Sequence, residues 1–142
     1  MSLHVDIVTP SRKVFEGTSD RVELPGWLGE MGALPRHAAT LTLVRAGVVT
    51  LHNASGQLSL DKEPVALSGD RRLVVGAGFA EVGGDRVTLV VDLCEDGANV
   101  DKGAAAAALQ AAEKVMASED GNTVEARLAS KQADLARARL KV

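Results

Sequence analysis

Leu3, Val5 and Ile7 alternate with His4 and Asp6, the period of two that a half-buried strand requires. The same alternation returns in VEL, LTLV, VVTLH, QLSL, PVALS, RLVVGAG, FAEV and RVTLVVDL, with Gly, Asn or Asp between most of these runs. Short strands with turn signals every ~8–12 residues predict an all-β sandwich or barrel. Ser55-Gly56 and the GGD at 83–85 read as hairpin turns. Residues 1–94 are expected to form this β domain.

From Glu95 the period changes. Segment 101–118 (DKGAAAAALQAAEKVMAS) is alanine-rich and free of proline, which predicts a helix, with Asn99 or Asp101 available to cap it. SEDGN at 118–122 interrupts it, and Asn122 with Glu125 resembles a capping box. Segment 123–141 places Val124, Leu128, Leu135 and Leu140 near one face, with alanines between. Residues 95–142 are thus expected to form an antiparallel helical hairpin. A buried leucine stabilises by ~1.5–3 kcal/mol and an alanine methyl by roughly a third of that, so such a hairpin should dock weakly on its neighbours. An element docked in this way has access to two positions.

Composition narrows the function. Of 142 residues 46% are apolar, enough for a packed core, but only 2% are aromatic: Phe15, Trp27 and Phe79. Too few rings remain for a base-stacking platform, and a net charge of −3 argues against nucleic acid. The one cysteine, Cys94, excludes an internal disulfide and a cysteine-based zinc site, and reads as a small structural hydrophobe at the end of the last strand. No run approaches the ~20 apolar residues of a membrane span, and MSLHVDIV has no basic n-region, so a soluble chain without a signal peptide is expected. His4, His37 and His52 are scattered without ligand spacing, so no metal site is expected, and His4 and His52 read as solvent-facing. There is no nucleophile elbow and no phosphate-cradling glycine motif, so no catalytic residue is assigned.

One stretch stands apart. Residues 24–42, LPGWLGEMGALPRHAATLT, hold two prolines and three glycines beside a tryptophan, a glutamate and a histidine. As a loop it is too rich in turn formers for a core and too apolar for a solvated linker: either a long hairpin connection whose Trp27 and Leu28 happen to be exposed, or a partner surface. A rival reading makes the chain a stand-alone ligand-binding β-sandwich or small enzyme, with this loop as a lid and His37 as a base.

The order LPG-x-x-GE-x-G-x-LP-x-HA-x-x-LT resembles the epsilon subunit family of the bacterial F-type ATP synthase. LHVDIVTPSRKVF at 3–15 and GAGFAEVGGDRVTLVVD at 76–92 resemble further segments of that family, so the likeness spans essentially the whole chain. The resemblance implies a sandwich of about ten strands and a mobile C-terminal helical hairpin. It implies a non-catalytic subunit of the rotor's central stalk, joining the gamma subunit to the membrane c ring for proton-driven ATP synthesis. The location implied is peripheral, on the cytoplasmic side of the bacterial inner membrane, with membrane contact only through the complex. Carried over, the c-ring contact is Gly26, Trp27, Leu28, Gly29, Glu30, Met31 and Gly32, with Glu30 as the anion. The gamma contact is Thr9, His37, Ala38 and Thr42. Arg36 stands where the family often has glycine or asparagine, and Ala39 where it often has proline. The family's Ile-Asp-x-x-Arg-Ala nucleotide motif is matched by Val100, Asp101, Ala104 and Ala105. Its arginine is missing, so no cofactor is expected and ATP binding should be absent or millimolar. The second helix carries Arg127, Lys131, Arg137, Arg139 and Lys141 against Glu125 and Asp134. The resemblance gives Arg127, Lys131, Arg137 and Arg139 an inhibitory role, reaching transiently to the catalytic alpha and beta subunits to block hydrolysis.

Overall fold

The computed structural model describes residues 2–60, 63–118 and 120–142. Its strands are β1 (Leu3–Val8), β2 (Lys13–Ser19), β3 (Arg21–Gly26), β4 (Gly29–Ala33), β5 (His37–Val44), β6 (Gly47–Leu58), β7 (Val65–Val75), β8 (Gly78–Gly84), β9 (Arg86–Val91) and β10 (Cys94–Asp96). A single 3₁₀ turn, Gly97–Asn99, leads into helices α1 (Lys102–Ser118) and α2 (Val124–Lys141). The ten strands hydrogen-bond in the order β10-β7-β6-β2-β1-β9-β8-β5-β3-β4, and β3 also pairs with β6. That extra pairing folds the sheet over on itself as two facing layers. Between them lie Leu3, Val5, Ile7, Leu24, Leu51, Leu73, Leu89 and Phe15, the one aromatic residue in the core.

Strand β6 serves both layers. Its first half pairs with β3 (Arg21↔His52 to Glu23↔Thr50) and its second half with β2 (Phe15↔Leu58 to Thr18↔Ser55). The strand bends where it changes partner, at Asn53, which has φ 49° beside a register slip against β7. The bend is braced on both sides: the Asn53 backbone N–H donates to Asp70 Oδ1 at 2.8 Å and its side-chain amide to Asp20 Oδ2 at 2.9 Å. VVTLH and QLSL are therefore one strand, and the turn expected at Ser55-Gly56 is absent. Gly56 is a glycine for another reason. It lies opposite Gly17, and a Cβ on either would stand 2.7 Å from the other's Cα. The GGD turn does form, with Gly84 at φ 57° linking β8 to β9.

The change to helix falls beyond β10, which pairs with β7 through Cys94↔Val75 to Asp96↔Leu73. Cys94 opens this strand, rather than closing the previous one, and packs against the core. Asp101 caps α1 by accepting from Ala104 N–H at 3.0 Å. At α2 the cap is Thr123, not Asn122. Its extended backbone places Oγ1 3.1 Å from Ala126 N, while Asp120 braces the turn by accepting from Asn122 N–H.

The seam between the helices is alanine rather than leucine. Ala105 and Ala112 of α1, with Leu109 half-buried between them, face Ala126, Ala129, Ala133 and Ala136 of α2. Small side chains let the helices close up, and the larger ones are pushed off the seam. Val124 and Leu128 are consequently exposed, and Leu135 and Leu140 only half-buried.

Arg36 occupies the left-handed region with φ 64°, its N–H donating to Asp85 Oδ1 at 2.9 Å. A side chain there costs about 1–2 kcal/mol, partly offset by the greater unfolded-state freedom of glycine. Arg36→Gly is expected to stabilise the chain by about 0.5 kcal/mol, about 1–2 °C in melting temperature by calorimetry. A lower melting temperature would refute this account of the turn.

Candidate functional site

The stretch expected as a long loop is mostly hairpin. β3 and β4 pair continuously from Val22↔Ala33 to Gly26↔Gly29, leaving only Trp27 and Leu28 in the turn. The glycines make this tip possible: Gly29 sits at φ 136°, and a Cβ on Gly26 would lie 2.7 Å from the Gly29 carbonyl oxygen. Pro25 has no N–H to offer but its carbonyl accepts from Arg45 N–H at 2.8 Å, while Trp27 N–H donates to the Leu43 carbonyl at 2.9 Å. Two backbone bonds thus clip the tip to the end of β5. Met31 turns back toward the core, whereas Glu30 and Gly32 are exposed. Trp27 is 58% exposed, its ring 5.4 Å from the Arg45 guanidinium, and Leu28 is fully exposed. An apolar tip held this firmly is shaped for a neighbour.

A second surface, apolar at β5 and β8 and charged toward β1 and β2, runs across the outer face of β5, β8, β9, β1 and β2. The ladder sets side chains in rows: Leu43, Phe79, Val90 and Val8 in one, and Leu41, Glu81, Thr88, Asp6 and Glu16 in the next. Leu41, Leu43 and Phe79 are exposed. Two of the chain's three aromatic residues therefore stand on the surface, although a core short of rings would gain from burying them.

The four positions carried over for a gamma contact do not converge. Thr9 follows β1 at the end of this layer nearest the β3–β4 tip, and His37 and Ala38 open β5 at the opposite end. Thr42 pairs with buried Ala80 and so faces away from Leu41 and Leu43. His37 Nδ1 lies 2.7 Å from the neighbouring Ala38 carbonyl, with no nucleophile in its hydrogen-bond reach among the described residues. The lid-and-base reading has no geometry to support it.

Two polar clusters escaped the sequence. His4, Asp6 and Glu16 bring one ligand atom each within 4.8 Å of one another. Their charge is already balanced: Lys13 Nζ sits 3.5 Å from both Asp6 Oδ1 and Glu16 Oε2, and Arg86 Nη1 3.0 Å from Asp6 Oδ2. A metal would have to displace an ammonium, so the cluster is an ion-pair network. Where β3 pairs with β6, His52 Nε2 lies 2.9 Å from Glu23 Oε2 and 3.2 Å from Arg21 Nη2. Strand alternation placed both histidines toward solvent; each is half-buried and engaged. The His52 hydrogen bond holds the Glu23 carboxyl below its usual range against an opposing desolvation, with the charges of Arg21, His52 and Arg72 adding to the lowering. Burial pushes the Cys94 thiol up to about 12, with Glu95 and Asp96 adding to it, which closes off thiolate chemistry.

The cations of α2 are partly committed. Arg139 forms a bidentate pair with Glu95, both N···O distances 2.7 Å, and this bond keeps its guanidinium firmly protonated. Arg137 lies 3.3 Å from Asp134 and 3.7 Å from Glu113, while Arg127 and Lys131 are exposed. Val100, Asp101, Ala104 and Ala105 do come together, lining one cleft of about 530 Å³ with Arg139. There the arginine is taken by Glu95 and Asp101 by its cap, so the charge of Arg139 is already matched before any phosphate arrives.

The class that these features define is a two-layer β domain with exposed apolar surfaces, followed by a helical hairpin. Residues 2–97 match the family described as ATP synthase, Delta/Epsilon chain, beta-sandwich domain. The chain is 34% identical over 142 residues to the ATP synthase epsilon chain of Synechococcus sp. (strain WH7803), covering 100% of this chain and 95% of that one. It is 34% identical over 138 residues to that of Nitrosococcus oceani, covering 97% and 88%. The chain belongs to the ATP synthase epsilon chain family, and is a non-catalytic subunit. Its fold is similar to a chain in the Euglena gracilis mitochondrial ATP synthase OSCP/F1/c-ring structure, with TM-score 0.74, 16% identity and coverage of 96% and 78%. It is also similar to one in the Tetrahymena thermophila central stalk/c-ring structure, with TM-score 0.54, 16% identity and coverage of 99% and 96%. Among the described residues no helix is long and apolar enough to cross a membrane.

Because its folded-state pKa is depressed, Glu23 contributes stability above the ordinary carboxylate pKa of about 4.3 that is lost as pH falls through the lower folded value. His52→Ala removes the largest cause, so the Glu23 titration followed by carboxyl-carbon NMR should move upward and acid unfolding should begin at higher pH. An unmoved Glu23 midpoint would show that the hydrogen bond is not the cause.

Proposed function

We propose that the sandwich is the rigid coupling in the central stalk of a proton-driven F-type ATP synthase, seated between the gamma subunit and the c ring on the cytoplasmic face of the bacterial inner membrane. The observation that carries this is the β3–β4 tip: a tryptophan and a leucine in water, clipped by backbone bonds to β5. Gly26 to Gly32 form the foot against the ring, with Trp27 and Leu28 as apolar anchors and Glu30 accepting charge-assisted hydrogen bonds from cationic ring side chains. The outer face supplies gamma's seat, from Thr9 at one end to His37 and Ala38 at the other. Leu41, Leu43 and Phe79 between them give it apolar area beyond the positions carried over from the family.

The hairpin has a regulatory role in this reading. Docked, it is held by an interface short of large apolar side chains, the Glu95–Arg139 pair and the packing of Val142 over Gly97. Release frees Arg139, and Arg127, Lys131 and Arg137 travel with it toward acidic segments of the catalytic alpha and beta subunits, blocking hydrolysis.

Two outcomes are expected. Trp27, the single tryptophan, should shift its emission to the blue when the chain assembles with gamma and the c ring. Emission that stays water-like would remove the anchor role. Truncation after Gly97, which keeps β10 paired with β7, should leave assembly intact and raise the ATPase rate of the complex severalfold. An unchanged rate would end the inhibitory reading.

A further inference from the structure

One face of α2 outruns the surface on which it docks. Val124, Leu128, Lys131, Leu135, Ala138 and Val142 recur at intervals of three and four, so they form a single stripe along the helix. The sandwich covers the C-terminal half of that stripe. Val142 packs over Gly97 beside the Arg72 carbonyl, Ala138 is buried, and Leu135 lines a cleft of about 610 Å³ with Trp27, Arg45, Gly76 and Asp92. Those last four residues belong to four turns at one end of the sandwich. From Arg72 to the turn at Gly76 is about 13 Å of strand, a distance that about nine helical residues match. Counted back from Val142, α2 thus reaches the end of the sandwich near residue 133, in accord with Ser130 to Leu135 lining the cleft. Val124 then stands about 10–14 Å beyond that end. Val124 and Leu128, 67% and 55% exposed, are the uncovered half of the stripe. Since the stripe faces the sandwich, its free half faces the space just past the Trp27 turn, where Leu28 is fully exposed.

Resting on the foot reading above, we infer that the first two turns of docked α2 are a second wall of the foot: the ring loop that meets Trp27 and Leu28 also packs against Val124 and Leu128. The two apolar surfaces are continuous around one step, the end of the sandwich below and the helix overhang beside it. A body seated on the step meets both, and the overhang is long enough to flank it. Only a docked hairpin holds these turns in place. Ring engagement and hairpin docking therefore favour each other by one common factor. Loss of the ring contact loosens the hairpin without any strand of the sandwich moving.

The test uses full-length chains in complex with gamma and without catalytic subunits, binding to detergent-solubilised c ring on a sensor surface. Val124→Gln with Leu128→Gln keeps helix propensity and leaves the alanine seam and the Glu95–Arg139 pair untouched. This double variant should bind the ring about three- to tenfold more weakly than wild type, and the loss should persist in high salt because the contact is apolar. Truncation after Gly97 should weaken binding by a similar factor, and Leu28→Ser should weaken it as well. Equal or tighter binding by the double variant, with Leu28→Ser still harmful, would overturn the second wall and leave the foot standing. In that event, a wild-type chain that dimerises in sedimentation while the double variant does not would assign the overhang to a second copy. Binding indifferent to Leu28→Ser would instead remove the foot reading on which this inference rests.

Discussion

The close approach of Gly17 and Gly56 is the constraint from which the rest of the architecture follows. Only where two backbones lie without Cβ atoms between them can β6 pair with β2 through its second half and still swing into β3 through its first. That swing closes the sheet over the core. It also fixes β3, and β3 carries the Trp27–Leu28 tip. The bend at Asn53, held by Asp20 and Asp70, is thus connected to the orientation of Trp27 by a continuous ladder rather than by a loop. A hairpin paired along its whole length resists deformation where a free loop would yield.

The hairpin of helices is built on the opposite principle. Alanine against alanine permits close packing inside the pair, and α1 buries little beyond Ala105 and Ala112. Its attachment to the sandwich leans on one bidentate ion pair, less than a third exposed and worth about 1 kcal/mol. The sandwich, with its fully buried leucines and valines, has no second arrangement of comparable energy. The two halves of the chain therefore differ in side-chain volume at their interfaces: leucine and valine in the sandwich, alanine in the hairpin.

Much of this was legible in the residues, and the misses have identifiable causes. Period-two alternation located the strands, because burial on one face leaves that mark whatever the topology. It could not tell a turn glycine from one selected by a neighbouring backbone, and so Gly56 was misread: its reason lies at Gly17, remote in sequence. The foot hairpin was hidden by its own glycines and prolines, which mimic a loop until the pairing of Gly26 with Gly29 is seen. On α2 a leucine stripe was the natural expectation from hydrophobicity, yet steric fit chose the alanines. The Lys13–Asp6–Arg86 network joins three strands and had no local signal at all. The composition did carry one clue to function: so few aromatics, with Trp27 inside a turn-rich segment.

Exposure of Trp27 and Phe79 becomes intelligible once stability and assembly are weighed together. Burying either ring inside the sandwich would add stability to the isolated chain, but Phe15 already fills the one large place in a core of leucine and valine. A ring on a well-paired strand or at a clipped tip loses little conformational freedom on meeting a partner, so nearly all of its buried area is available to the interface. The chain thus keeps its largest apolar side chains outside the fold and on its most rigid elements. Subunits that must stay joined while a motor turns need binding energy of this kind, drawn from surfaces that were ordered before contact.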